Sequence, residues 1–262
     1  MSALTIGTNP RARHAFGRLV VSEARIARRR PTGVAVALGV PLVLLVIFGC
    51  IPATTRPEAA LGGISFFNLY VPSLLLFGLI AVGLAVLPQQ LAGYRQQGVL
   101  RRMSTTPAPP SWLLAAQMTV NMALAAAGIA LLLGLGAGVF GLALPHTAGE
   151  WLIALLTLVL TAGATLGLGL CVAAVAGTPQ VANALTIVLF YPMAFFSGLY
   201  VPIQEIHSTV ISDLAKVLPT GAGFTALHAA FSGQSPGLRP LLVLAAWAIG
   251  ASVAAVRLFR WE

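Results

Sequence analysis

The chain has 262 residues, of which 58% are hydrophobic and 8% charged, with a net charge of +9 and a mean hydropathy of +0.93. That balance lies far outside the range of soluble globular domains. It predicts an all-α polytopic membrane protein, a single transmembrane domain over 1–262, and it excludes a soluble enzyme.

The first element is an amphipathic helix over 11–30. At 100° per residue Arg11, Arg18, Arg25 and Arg29 share one sector, while Phe16, Leu19, Val20, Ala24 and Ala27 gather opposite. Such a helix lies in a membrane interface, arginines toward water. Glu23 falls on the apolar face. Two readings are open for it: a surface glutamate at headgroup level, or a partner of Arg101 or Arg102 in a later loop. A cleaved signal is not expected, since the basic region and the apolar run are both too long for one.

Six spans follow, at about 31–51, 65–88, 111–140, 150–176, 180–201 and 238–257, each long enough for roughly 30 Å of hydrocarbon. The fourth and fifth must be separate. Trp151 to Gln204 is 54 residues without a charge, about 80 Å as one helix. The break is expected at Gly177-Thr178-Pro179-Gln180. The third run is expected to end within Gly134 to Gly141. After the fifth span, Ile203, Ile206, Val210, Leu214 and Val217 recur at helical spacing, and a second apolar stretch covers Gly223 to Phe231.

Twelve of the fifteen cations lie in the N-terminal segment, in the loop holding Arg95, Arg101 and Arg102, or at Arg257 and Arg260. Under the positive-inside rule both termini and that loop are cytoplasmic. The charge is therefore a topology signal and an attraction for membrane lipids, and no nucleic acid is expected as a partner. No span has an ionisable residue at its centre, as ion-coupled carriers usually require. The sequence has no phosphate-binding loop and no metal-binding or acid–base constellation. The protein is either passive or draws its energy from a partner.

Two blocks carry a family resemblance. Tyr94-Arg95-Gln96-Gln97-Gly98-Val99-Leu100-Arg101-Arg102-Met103-Ser104-Thr105-Thr106-Pro107 links the second and third spans. Phe196-Ser197-Gly198-Leu199-Tyr200-Val201-Pro202 closes the fifth, with Leu218-Pro219 beyond it. In this order the chain resembles the type-2 ATP-binding-cassette (ABC) transporter permeases of bacterial drug and lipid exporters. Tyr94 stands where that family commonly has an acidic residue, and Val99 where it has a threonine.

The resemblance implies the membrane half of an ATP-driven exporter in the bacterial inner membrane. The 94–107 loop would dock on a separate ATP-binding ABC subunit through Tyr94, Arg95, Gly98, Leu100, Arg101 and Arg102, with Glu23 coupling in the interfacial helix. Arginines would bond the partner's carboxylates, Gly98 would allow close approach, and Pro107, Pro109 and Pro110 would stop the coupling helix. ATP and Mg would be bound by that partner, with no cofactor and no metal on this chain. A second copy, or a related permease, would complete the pathway. Short extracellular helices would cap it between spans five and six.

Candidate path residues are Phe67, Asn68 and Tyr70 of the second span and Asn183, Tyr191 and Phe195 of the fifth. An asparagine in hydrocarbon needs a partner, so Asn68 and Asn183 are expected to face protein or a cavity. A charge-free path suits a hydrophobic drug or lipid-like substrate, with antibiotic resistance as one outcome. The alternatives are a passive or assembly membrane protein without an ATPase, and a lipid-modifying enzyme using Glu150, Glu205 or Asp213.

Overall fold

The computed structural model describes residues 10–29, 32–58, 63–98, 111–200 and 209–258. Helix α1 runs Pro10–Arg29 and α2 Thr32–Cys50. Next come α3, Phe66–Gln96, α4, Ser111–Phe140, and α5, Ala148–Val175. The chain closes with α6, Pro179–Phe196, α7, Thr209–Val217, α8, Pro219–Phe231, and α9, Leu238–Leu258. Among the described residues α2, α3, α4, α5, α6 and α9 are long and apolar enough to span a bilayer, and there is no strand. The protein is an all-α polytopic membrane protein.

Local chemistry sets the ends. The Ser65 hydroxyl accepts from Asn68 N at 3.3 Å and opens α3. Thr147 and Glu150 form a reciprocal capping box at the start of α5. The charge-free run breaks between Val175 and Pro179, where Thr178 caps α6 through Val181 N at 3.3 Å and Pro179 needs no N–H in the first turn. Helix α4 stops at Phe140, inside the glycine-rich stretch.

Burial shows what lies at the centre. The apolar stretch of α3 is 83% buried and that of α5 61%, against 17–22% for the other four spans. Helix α8 joins this pair as a third interior element rather than a helix lying on the surface. Its Thr220, Gly221, Gly223, Phe224 and Leu227 are all buried. It packs among α3, α5, α6 and α9. Helix α7 is amphipathic and outermost, with Val210, Leu214 and Val217 exposed. Its carboxyl end is held by α9, whose Trp247 Nε1 donates to Val217 O at 2.8 Å.

The small-residue repeats behave differently. Gly163 and Gly167 of α5 lie against Ala248 and Ala251 of α9, where added Cβ atoms would come within 3.4 and 2.9 Å. Gly134 and Gly138 of α4 face open space.

Helix α3 continues past Pro88, its expected end, to Gln96, because a π-helical turn and a hydroxyl from another helix absorb the proline. Ala81–Val86 widens into a π-helical turn in which Leu87 N bonds Val82 O. Pro88 has no N–H for Leu84 O, four residues back. The Thr186 hydroxyl of α6 donates to that carbonyl instead, at 2.9 Å. The bulged backbone presses on α5 so closely that a Cβ at Gly169 would overlap Gly83 O.

Candidate functional site

The polar groups gather where the end of α3 meets α1 and the start of α4. Tyr94 is therefore a residue of the last turn of α3, not of a loop. Its Oη donates to Glu23 Oε2 at 2.7 Å. Gln117 of α4 donates its amide to the same oxygen, in a very short contact, and approaches Tyr94 Oη at 3.4 Å. One turn further on, Asn121 Nδ2 donates to Gln117 O at 2.9 Å and approaches Gln117 Oε1 and Gln90 Oε1 at 3.3 and 3.4 Å.

Glu23 is only 6% exposed. It is thus not a glutamate standing at headgroup level but the centre of a three-helix cluster. Burial pushes its carboxyl above the usual range, opposed by the Tyr94 hydrogen bond. The α1 face that carries it docks on α4, with the Phe16 ring edge-on to Trp112 at 6.4 Å. A cavity of about 230 Å³ opens beside the cluster, lined by Glu23, Val86, Gln89, Gln90, Tyr94 and Gln117 among others.

Arg95, next in the chain, turns to α5. Its Nη1 donates to Ala174 O and Ala176 O at 3.3 and 3.4 Å, satisfying carbonyls that the end of α5 leaves open. Gly98 adopts φ +65° while its N donates to Arg95 O at 3.1 Å. Nothing lies within 4 Å of where a Cβ would sit. Its glycine therefore serves the left-handed turn that ends α3, and no close approach is made there among the described residues. Leu100, Arg101 and Arg102, with Pro107, Pro109 and Pro110, lie outside the described residues, and so does the proposed pairing of Glu23 with either arginine.

The six path residues do not form one site. Phe67, Asn68 and Tyr70 sit at the opposite end of the bundle. Phe67 is buried against Phe140, ring centroids 5.9 Å apart. Asn68 Oδ1 accepts from Ala143 N at 3.1 Å. Tyr70 donates to Leu199 O at 2.7 Å. Asn183 lies at the Tyr94 end, its Oδ1 accepting from Gln89 Nε2 at 3.0 Å. Tyr191 is exposed on α6, and Phe195 meets Phe196 edge-on at 5.3 Å. Each asparagine is hydrogen-bonded, Asn68 as a half-buried residue, whereas Asn183 is exposed on α6 rather than turned into the protein.

The Ser197-Gly198 block has a packing explanation. Gly198 has φ +76°, and a Cβ there would lie 2.8 Å from the Phe224 ring and 2.9 Å from Ser73 Oγ. The block locks the end of α6 to α3 and α8. Two acids open to catalytic readings have structural partners. Glu150 Oε2 accepts from His146 N and Thr147 N at 2.7 and 3.2 Å. Asp213 pairs with Lys216 at 2.8 Å on the surface. Glu205 lies outside the described residues.

Sequence reasoning missed Gln117, Asn121 and Gln90. The signal was present: Gln117 and Asn121 share a helix face in a span without charge, and buried amides require partners.

Six spans, four of them packed around a buried central pair, define a multi-pass membrane protein. A family model described as ABC-2 type transporter matches residues 14–232, and the chain belongs to that family. It is accordingly a membrane subunit of an ABC transporter, a transport component. No curated protein matches the sequence at a significant level.

Proposed function

We propose that this chain is the permease of an ATP-driven exporter in the bacterial inner membrane, with both termini and the 94–107 loop in the cytoplasm. A separate ABC subunit binds ATP and Mg and docks on that loop. A second copy, or a related permease, completes a pathway for a hydrophobic drug or lipid-like substrate. The supporting observation is the way the last turn of α3, which leads into the loop, is anchored. Tyr94 ties the end of α3 to α1 and α4, and Arg95 ties it to the end of α5. A push on the loop therefore reaches the two most buried spans directly, which is the linkage a separate motor needs. Docking falls to Leu100, Arg101 and Arg102, with Gly98 setting the turn that presents them.

The test is gentle-detergent purification of the tagged chain from its own host, with bound proteins identified by mass spectrometry. A stoichiometric soluble ATPase is expected, lost when Arg101 and Arg102 are both changed to Glu while membrane insertion persists. Retention of the ATPase and of export in that variant would refute docking through the arginine pair. Isolation of the chain with no ATPase would refute the coupled reading.

A further inference from the structure

Beyond the polar cluster, α1 and α4 leave between them an open groove of about 450 Å³. Its walls are Val20, Ala24 and Ala27 of α1, Val34 at the start of α2, and Ala123 and Leu124 of α4, with Arg28 and Thr119 also on the lining. Ala24 and Ala123 are exposed at the mouth. An apolar slot with a guanidinium at its edge has two chemistries side by side: one takes hydrocarbon, the other an anion.

We infer that this groove binds one anionic phospholipid, an acyl chain between α1 and α4 and the phosphate against Arg28. Charge complementarity selects that occupant. Helix α1 also carries the exposed Arg18, Arg25 and Arg29. Its single acid, Glu23, points into the neighbouring cavity with its oxygen engaged by Tyr94 and Gln117. A lipid headgroup reaching the rim therefore meets cations without a facing carboxylate among the described residues of α1. A second protein helix would satisfy the apolar walls but leave Arg28 without its anion.

The groove and the Glu23 cavity stand back to back, with Ala27, Val34 and Val120 lining both. A chain seated in the groove supports the wall on which the Glu23–Tyr94–Gln117 cluster is built. Lipid occupancy then stiffens the junction of α1, α3 and α4. This inference rests on α1 lying at the membrane interface and is independent of the ATPase.

The experiment uses the purified, delipidated full-length chain alone, so its outcome is separable from ATPase docking. Native mass spectrometry and thermal unfolding compare phosphatidylglycerol with phosphatidylethanolamine of the same acyl chains. Phosphatidylglycerol is expected to be retained preferentially and to raise the unfolding temperature more. Arg28→Gln should cut that preference about fivefold, the effect of one cation near a lipid surface. Ala123→Leu, whose added bulk enters the groove and not the core, should reduce retention of both lipids. Equal retention of the two lipids by the unaltered chain would overturn the headgroup assignment. Undiminished retention in Ala123→Leu would overturn the groove, as would a photo-crosslinker at position 123 that captures protein instead of lipid.

Discussion

A carboxyl group held out of water favours its protonated form, and Glu23 is held in this way between α1, α3 and α4. Its ordinary value is 4.5, and burial raises it in the folded chain. Below that value the group is protonated folded or unfolded, and it contributes no pH dependence. As pH rises, the unfolded chain releases the proton first, so stability falls until the folded pKa is passed. Glu23→Gln keeps an oxygen for both donors and removes the titration. Thermal unfolding in detergent across pH should show the unaltered chain declining relative to Glu23→Gln through that window. Parallel curves would dismiss the buried ionisation. Glu23→Ala removes the carboxylate oxygen that accepts from both the Tyr94 hydroxyl and the Gln117 amide and should cost about 1–3 kcal/mol. At the other end, Gly198→Ala drives a methyl into the Phe224 ring at a left-handed backbone position. A loss of about 1–3 kcal/mol is expected from overpacking, measurable by denaturant unfolding.

At the scale of elements the most informative is the π turn of α3. Pro88 and Thr186 act as a pair: the proline withholds a donor from Leu84 O, and the threonine supplies one from another helix. Thr186→Val should lose about 1–3 kcal/mol by leaving a buried carbonyl unsatisfied, and Thr186→Ser should recover most of it. Pro88→Ala restores an N–H within α3, so adding it to Thr186→Val should return stability toward that of the unaltered chain. A double-mutant cycle with no coupling between the two positions would show that they act separately.

The same element shows what was legible in the sequence. Hydropathy located all six spans because a bilayer demands long apolar stretches; length required a break in the charge-free run, and Gly177 and Pro179 marked its place. Helix α3 was cut short at Pro88 because its rescuer, Thr186, is distant in sequence and belongs to another span. The Glu23 cluster was half visible. A lone acid on an apolar face signals a partner, but its donors, Tyr94 and Gln117, become its neighbours only once α1 crosses α4. Helix α8 read as an apolar stretch, and only the family resemblance gave it a place, as a short capping helix between spans five and six. The small size of its alanines and glycines is what lets α8 into the interior, where Gly223 sits against Thr161 and Leu76.

For the whole molecule, the two cysteines report orientation. Cys50 is exposed at the end of α2 beside the Phe66–Tyr70 end of the bundle, and Cys171 lies toward the Tyr94 end of α5. A membrane-impermeant maleimide added to intact cells should label Cys50 and leave Cys171 unmodified. Labelling of Cys50 only after the membrane is opened would reverse the orientation given to this chain.

The helices also differ in length in a way that bears on their surroundings. At about 1.5 Å per residue, α2 and α6 are near 28 Å, close to the hydrocarbon thickness, whereas α3, α4 and α5 run roughly 42–46 Å. The short pair fixes the slab in which the molecule sits, and the long trio must lean or protrude beyond it. A thinner or thicker bilayer would change that lean and, through α3, shift Tyr94 and Arg95 relative to the headgroup plane. Acyl-chain length thereby becomes a mechanical input to the permease, felt at the far tip of its most deeply buried span.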